Sequence, residues 1–158
     1  MTVTQNQDFI AVTTAWERVV TDDTTRANIE AFYKAYAAGD VGTVGAMLHD
    51  DIDWIIYGPV QVFPFTGPRR GKQAVLDALA GIAKEFALER YVPEAIVVAG
   101  DRVAVLSSAA FVQRSTSRTL SLRLADFIRL SDGKIVEFRE LFDSFDAVEQ
   151  ALGRWLEV

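Results

Sequence analysis

There is no cysteine in this 158-residue chain, and His49 is its single histidine. The first absence excludes disulfides, thiolate metal sites and a cysteine nucleophile, and it leaves redox chemistry silent about the compartment. The second leaves a zinc site without ligands. His49 stands beside Asp50 and Asp51 at an expected helix end, where a solvent-facing role is the simpler reading. Positive charge is scarce too: 16 Lys and Arg against 22 Asp and Glu give a formal charge of -6. A nucleic acid or an anionic membrane would need a clustered basic surface, so neither is an expected partner. No apolar run reaches the roughly 20 residues of a membrane helix, and the first residues lack the basic start of a secretory leader. The expectation is a soluble protein with a cytoplasmic home.

What is present is a chain half hydrophobic and 11% aromatic, enough in one domain for a substantial core and a cavity. Residues 1–22 read as an extension, in which Phe9, Val12, Trp16, Val19 and Val20 recur near helical spacing. Such a helix packs on its own domain or on a partner subunit. In the domain, 23–158, Ile29, Phe32, Tyr33 and Tyr36 mark a helix stopped by Gly39, and Asp40 caps a short second helix through Leu48. Ile52 to Tyr57 reads as a strand. The segment from Gly58 to Pro68 is too rich in Pro and Gly for regular structure, and its Phe63 and Phe65 are placed to cover a pocket. A helix follows from Gly71 to Phe86, then strands over Tyr91 to Ala99, Arg102 to Gln113, Arg118 to Leu130 and Lys134 to Phe142, and a last helix from Ser144 to Trp155. Helices first and consecutive strands later imply an α+β fold, with helices packed on one face of a curved, mostly antiparallel sheet.

Chemistry concentrates in the last hairpin. Ser131-Asp132-Gly133-Lys134 suits a three-residue loop with Gly133 in the left-handed region. Leu120, Leu122, Leu124, Asp126, Ile128 and Leu130 then share a face with Val136, Phe138, Glu140 and Phe142. Arg123, Arg129, Glu137 and Arg139 occupy the other face. Asp126 and Glu140 become neighbours on an apolar surface, where burial and like-charge repulsion favour the neutral carboxyl. One is a candidate acid near neutral pH and the other a candidate base. A two-residue turn would instead put them on opposite faces. Tyr33, Tyr36, Trp54, Tyr57 and Tyr91 are available to bond these carboxyls or to grip a ligand.

Other signals carry less. Asp50, Asp51 and Asp53 lack the spacing of a calcium loop, Arg69, Arg70 and Lys72 read as exposed loop charge, and Gly39, Gly42 and Gly45 follow no strand. No cofactor or metal is implied.

Four motifs in order resemble the SnoaL-like branch of the nuclear-transport-factor-2-like superfamily: Phe32-Tyr33-Lys34-Ala35-Tyr36-Ala37-Ala38-Gly39-Asp40, Leu48-His49-Asp50-Asp51-Ile52-Asp53-Trp54, Gly67-Pro68-Arg69-Arg70-Gly71-Lys72-Gln73-Ala74-Val75 and Asp132-Gly133-Lys134-Ile135-Val136-Glu137-Phe138-Arg139. The likeness covers roughly Thr24 to Leu152 and implies a conical barrel enclosing a hydrophobic pocket, with homodimerisation through the sheet. It also implies site positions. The cyclases' histidine falls at Asp126 and their acid at Glu140. The ketosteroid isomerases' oxyanion aspartate falls at Asp126, their tyrosine at Phe32 and their base at Ile56. The epoxide hydrolases' Arg and Asp positions read Ser107 and Ala109. Each known mechanism is therefore incomplete here. The residues point to a cofactor-independent isomerase, cyclase or dehydratase acting on a small apolar carbonyl compound. Asp126 and Glu140 would be the acid and base, with Trp54, Tyr57, Phe63, Phe65, Phe32, Tyr33, Tyr36 and Tyr91 lining the pocket. A non-catalytic binder of hydrophobic molecules and a dimerisation domain are the alternatives.

Overall fold

Residues 23–157 are described by the computed structural model; the helix expected around Phe9 to Val20 lies outside them. The stripe of Ile29, Phe32 and Tyr33 buries one face of α1 (Asp23–Ala37). Gly39 turns the chain with φ +69°, and Asp40 caps α2 (Val41–Met47) by accepting from Thr43 N. Then come β1 (Leu48–Ile56), β2 (Gly67–Arg70), α3 (Lys72–Glu85), β3 (Phe86–Ala99), β4 (Arg102–Gln113), β5 (Thr119–Ser131), β6 (Lys134–Phe142) and α4 (Ser144–Leu152). The order in the sheet is β2-β1-β6-β5-β4-β3. Only β1 and β6 run parallel; the other neighbours are antiparallel. α1 lies against β3, α3 against β1 and β3, and α4 against β5. None of the described helices is long and apolar enough to cross a membrane.

β1 starts four residues before the expected Ile52, at the Leu48 that the helix was expected to include, and two further strands differ from expectation. β2 was hidden by Pro68, but it lies at the sheet's edge, where the missing proline N–H leaves no ladder bond unmade. β3 starts five residues before Tyr91 because irregularities at Leu88/Arg90 and Pro93/Ala95 break its alternation.

The hairpin joining β5 and β6 also corrects the expected turn. Its loop has two residues, Asp132 at φ 50° and Gly133 at φ 73°, the pair of positive φ values that a type I′ turn requires. Ser131 faces Lys134 and Leu130 faces Ile135, but Arg129 faces Glu137. Val136 is thus an extra residue in a bulge, and Ile135 rather than Val136 enters the core at 1% exposure. The bulge restores the parity that a two-residue turn alone would lose. Asp126 and Glu140 end up directly opposite.

The segment between β1 and β2 is a series of turns pinned by Thr66, whose buried Oγ1 donates to Phe63 O at 2.8 Å and Gly58 O at 3.1 Å. This directs Phe63 inward. The inner face holds two apolar clusters, which meet at Phe65, Ile82, Tyr91 and Phe142.

Candidate active site

Those four residues, where the clusters fail to close, border a cavity of about 60 Å³. Phe32, Tyr33 and Tyr36 reach it from α1, Trp54 and Ile56 from β1, Phe63 and Phe65 from the pinned segment, Tyr91 from β3 and Glu140 from β6. Leu79 and Ile82 of α3, Leu122 and Leu124 of β5 and Phe138 complete much of the wall. The sequence marks these only as core stripes, because packing and lining share one periodicity. Tyr57 does not join them. Trp54 and Ile56 take the inner face of β1, so the next odd residue emerges on the other side, 48% exposed.

The two carboxyls occupy different places. Glu140 lines the cavity and, among the described residues, its side chain makes no hydrogen bond. Part of its surface opens to the cavity although protein surrounds it on every side. Asp126 is 0% exposed and lies behind the wall. Its Oδ2 accepts from Tyr33 Oη at 2.5 Å and from Tyr91 Oη at 3.4 Å, while Oδ1 has no partner. The Tyr33 and Tyr91 rings stack with centroids 5.5 Å apart, and Tyr36 meets Tyr91 edge-on at 5.3 Å. Both Asp126 bonds come from residues that also line the cavity, so the phenols stand between the buried carboxyl and the open space. Ser107 Oγ lacks a well-formed hydrogen bond, though it is close enough to Tyr91 to favour the phenolate slightly.

Burial pushes the Asp126 carboxyl up to about 7, against the opposing pull of the Tyr33 and Tyr91 hydrogen bonds. Burial also raises Glu140 well above the ordinary carboxylate range, and the charge of Asp126 adds to the rise. Tyr33 and Tyr91 are raised by burial first and by Asp126 second, so both remain protonated donors. With no Lys or Arg in the cavity wall, nothing there offsets a second negative charge. The pair is built to hold a proton.

The discounted charges have structural partners. His49 Nδ1 accepts from Asp51 N, Lys72 pairs with Asp50 at 2.6 Å, and Arg69 donates to the Pro64 and Pro68 carbonyls.

Helices over one face of an open sheet around an aromatic cavity give the cone-like α+β fold of NTF2-like proteins. Within it, the model of the SnoaL-like domain matches residues 29–138, and the chain belongs to that family. A candidate isomerase from Rhodopseudomonas palustris is 34% identical with a TM-score of 0.75, over 85% of this chain and 100% of that one. An NTF2-like protein of unknown function from Burkholderia pseudomallei is 20% identical at TM-score 0.74, over 80% and 96%. An LEH-like epoxide hydrolase from M. tuberculosis is 21% identical at TM-score 0.66, over 83% and 91%. The last two likenesses concern the fold alone. No curated protein matches the chain at comparable significance.

Proposed function

We propose that the protein is a cofactor-independent isomerase, cyclase or dehydratase that moves a proton on a small, largely apolar carbonyl compound. The observation that carries this reading is Glu140: a carboxyl without a hydrogen-bond partner, facing an aromatic cavity and standing opposite a buried carboxyl held by two phenols. In the form of the coupled pair that keeps its one proton on Asp126, ionised Glu140 takes a proton from the carbon next to the carbonyl, and the displaced electron pair moves onto the carbonyl oxygen. Neutral Asp126 donates to one phenol oxygen and turns that phenol's own proton toward the developing oxyanion. Where the compound carries a β,γ double bond, the electron pair returns from the oxygen, the double bond shifts into conjugation and Glu140 delivers the proton to the γ carbon, which completes an isomerisation. Asp126 acts in this scheme through Tyr33 or Tyr91, since it lies behind them.

The departures from the isomerase pattern support the assignment. Ile56, at the base position, is the register partner of Glu140 on the adjoining strand. Phe32, at the tyrosine position, precedes Tyr33, whose hydroxyl reaches the acid. In each case a neighbouring residue offers the missing chemistry.

The test is proton exchange. Short straight-chain methyl ketones incubated with the protein in deuterated buffer should exchange the proton beside the carbonyl, followed by NMR. Glu140→Gln should slow exchange by roughly 100-fold or more with an unchanged circular dichroism spectrum. Saturable binding of these ketones with no exchange above buffer would replace the enzyme by a carrier, the reading favoured by the absence of any complete catalytic set known in the family.

A further inference from the structure

The proposed chemistry leaves a second concavity unused. An apolar groove of about 310 Å³ runs between the end of α1, α2, α3 and the start of β3, and it shares Tyr36, Leu79, Ile82, Phe86 and Phe111 with the walls of the cavity. Size ties the two together. A cavity of about 150 Å³ takes up a single benzene ring, whereas the inner space is about 60 Å³. It admits the narrow end of a molecule, and the rest must lie outside.

Charge says what the outer part carries. Arg114 is the one charged residue lining the groove. Its backbone N donates to Glu85 O at 2.9 Å and its Nε to Ala83 O at 3.1 Å. That lays the side chain over the end of α3 with the terminal guanidinium nitrogens free of any ion pair among the described residues. At the inner end stand Glu140 and, behind the wall, Asp126, with no cation beside them. An anionic group is repelled from the inner end and attracted at the outer one.

We propose that groove and cavity form one binding track for an amphipathic carboxylate: a slender apolar body, an uncharged end beside Glu140 and a carboxylate paired with Arg114. The proposal rests on reading the cavity as a ligand site, catalytic or not. It is tested by calorimetric titration of the full-length protein with octanoate and decanoate against octanol and decanol. At low salt the alkanoates should bind about threefold to fivefold more tightly than the alcohols, the worth of an exposed ion pair. Arg114→Gln should abolish that preference and Arg114→Lys keep most of it, with alcohol affinity unchanged in both. High salt should shrink it. Binding of alcohols with no carboxylate preference, or a preference that survives Arg114→Gln, overturns the outer subsite and leaves the cavity reading standing. If neither series binds, both fall.

Discussion

Asp126 is held on one side only: two phenols share Oδ2 and nothing meets Oδ1. Such a carboxyl is costly to ionise, and the cost appears as a dependence of stability on pH. The folded protein keeps protons on Asp126 and Glu140 that the unfolded chain, with carboxyls near about 4, has already released. The folded state binds more protons in that window, so stability is highest below it, falls as pH rises, and for Asp126 levels off above about 7. Asp40 and Asp50, lowered by Thr43 and Lys72, work in the opposite sense but are exposed and titrate below it. Melting temperatures followed from about pH 5 to about pH 8 should therefore shift in favour of Asp126→Asn over the parent as pH rises. Parallel curves would mean that Asp126 is ionised throughout. Both acids were legible in the sequence because each interrupts an apolar alternation. That one lines the cavity and the other hides behind Tyr33 and Tyr91 was not, since depth within a face leaves no trace in periodicity.

Among the elements, the β5–β6 hairpin is where sequence and structure agree on the pairing for different reasons. The loop is shorter than expected and the bulge at Val136 supplies the compensating residue. Removing Val136 should leave Asp126 opposite Glu140 and cost only about 1 to 2 kcal/mol, read from urea denaturation. With a three-residue loop and no bulge, the same deletion would turn Glu140 to the outer face and unfold the protein. The segment before β2 is less forgiving. A Cβ on Gly58 would sit 2.8 Å from Thr66 Cγ2 and 3.1 Å from Phe142 Cζ, and Thr66 is held by two hydrogen bonds and fully buried. Gly58→Ala should cost about 1 to 3 kcal/mol in the same assay. The helices and the long strands could be read from apolar spacing. β2 and the first residues of β3 could not, because proline and bulges obscure the strand signal at edges that tolerate both.

At the scale of the whole molecule, the sheet has helices on one face and a partly apolar surface on the other. Phe127 is 56% exposed, Val97 55% and Leu141 43%, with Arg123–Glu94 and Arg129–Glu137 pairs among them. Apolar side chains gathered on an open sheet face favour association, and we propose a homodimer through this face. Phe127→Glu should convert the dimer to a monomer in light scattering while leaving the fold unchanged; a parent that is already monomeric would refute it. The sheet order has a consequence of another kind. β6, made after the other five strands, sits between β1 and β5 and carries Glu140. As the chain emerges from the ribosome, β3, β4 and β5 can pair at once, but β1 must wait beside an empty slot until the other strands have been synthesised. For that interval two strand edges are open, the condition under which nascent chains aggregate or recruit chaperones, and the protein completes its sheet and its cavity-lining carboxyl in the same step.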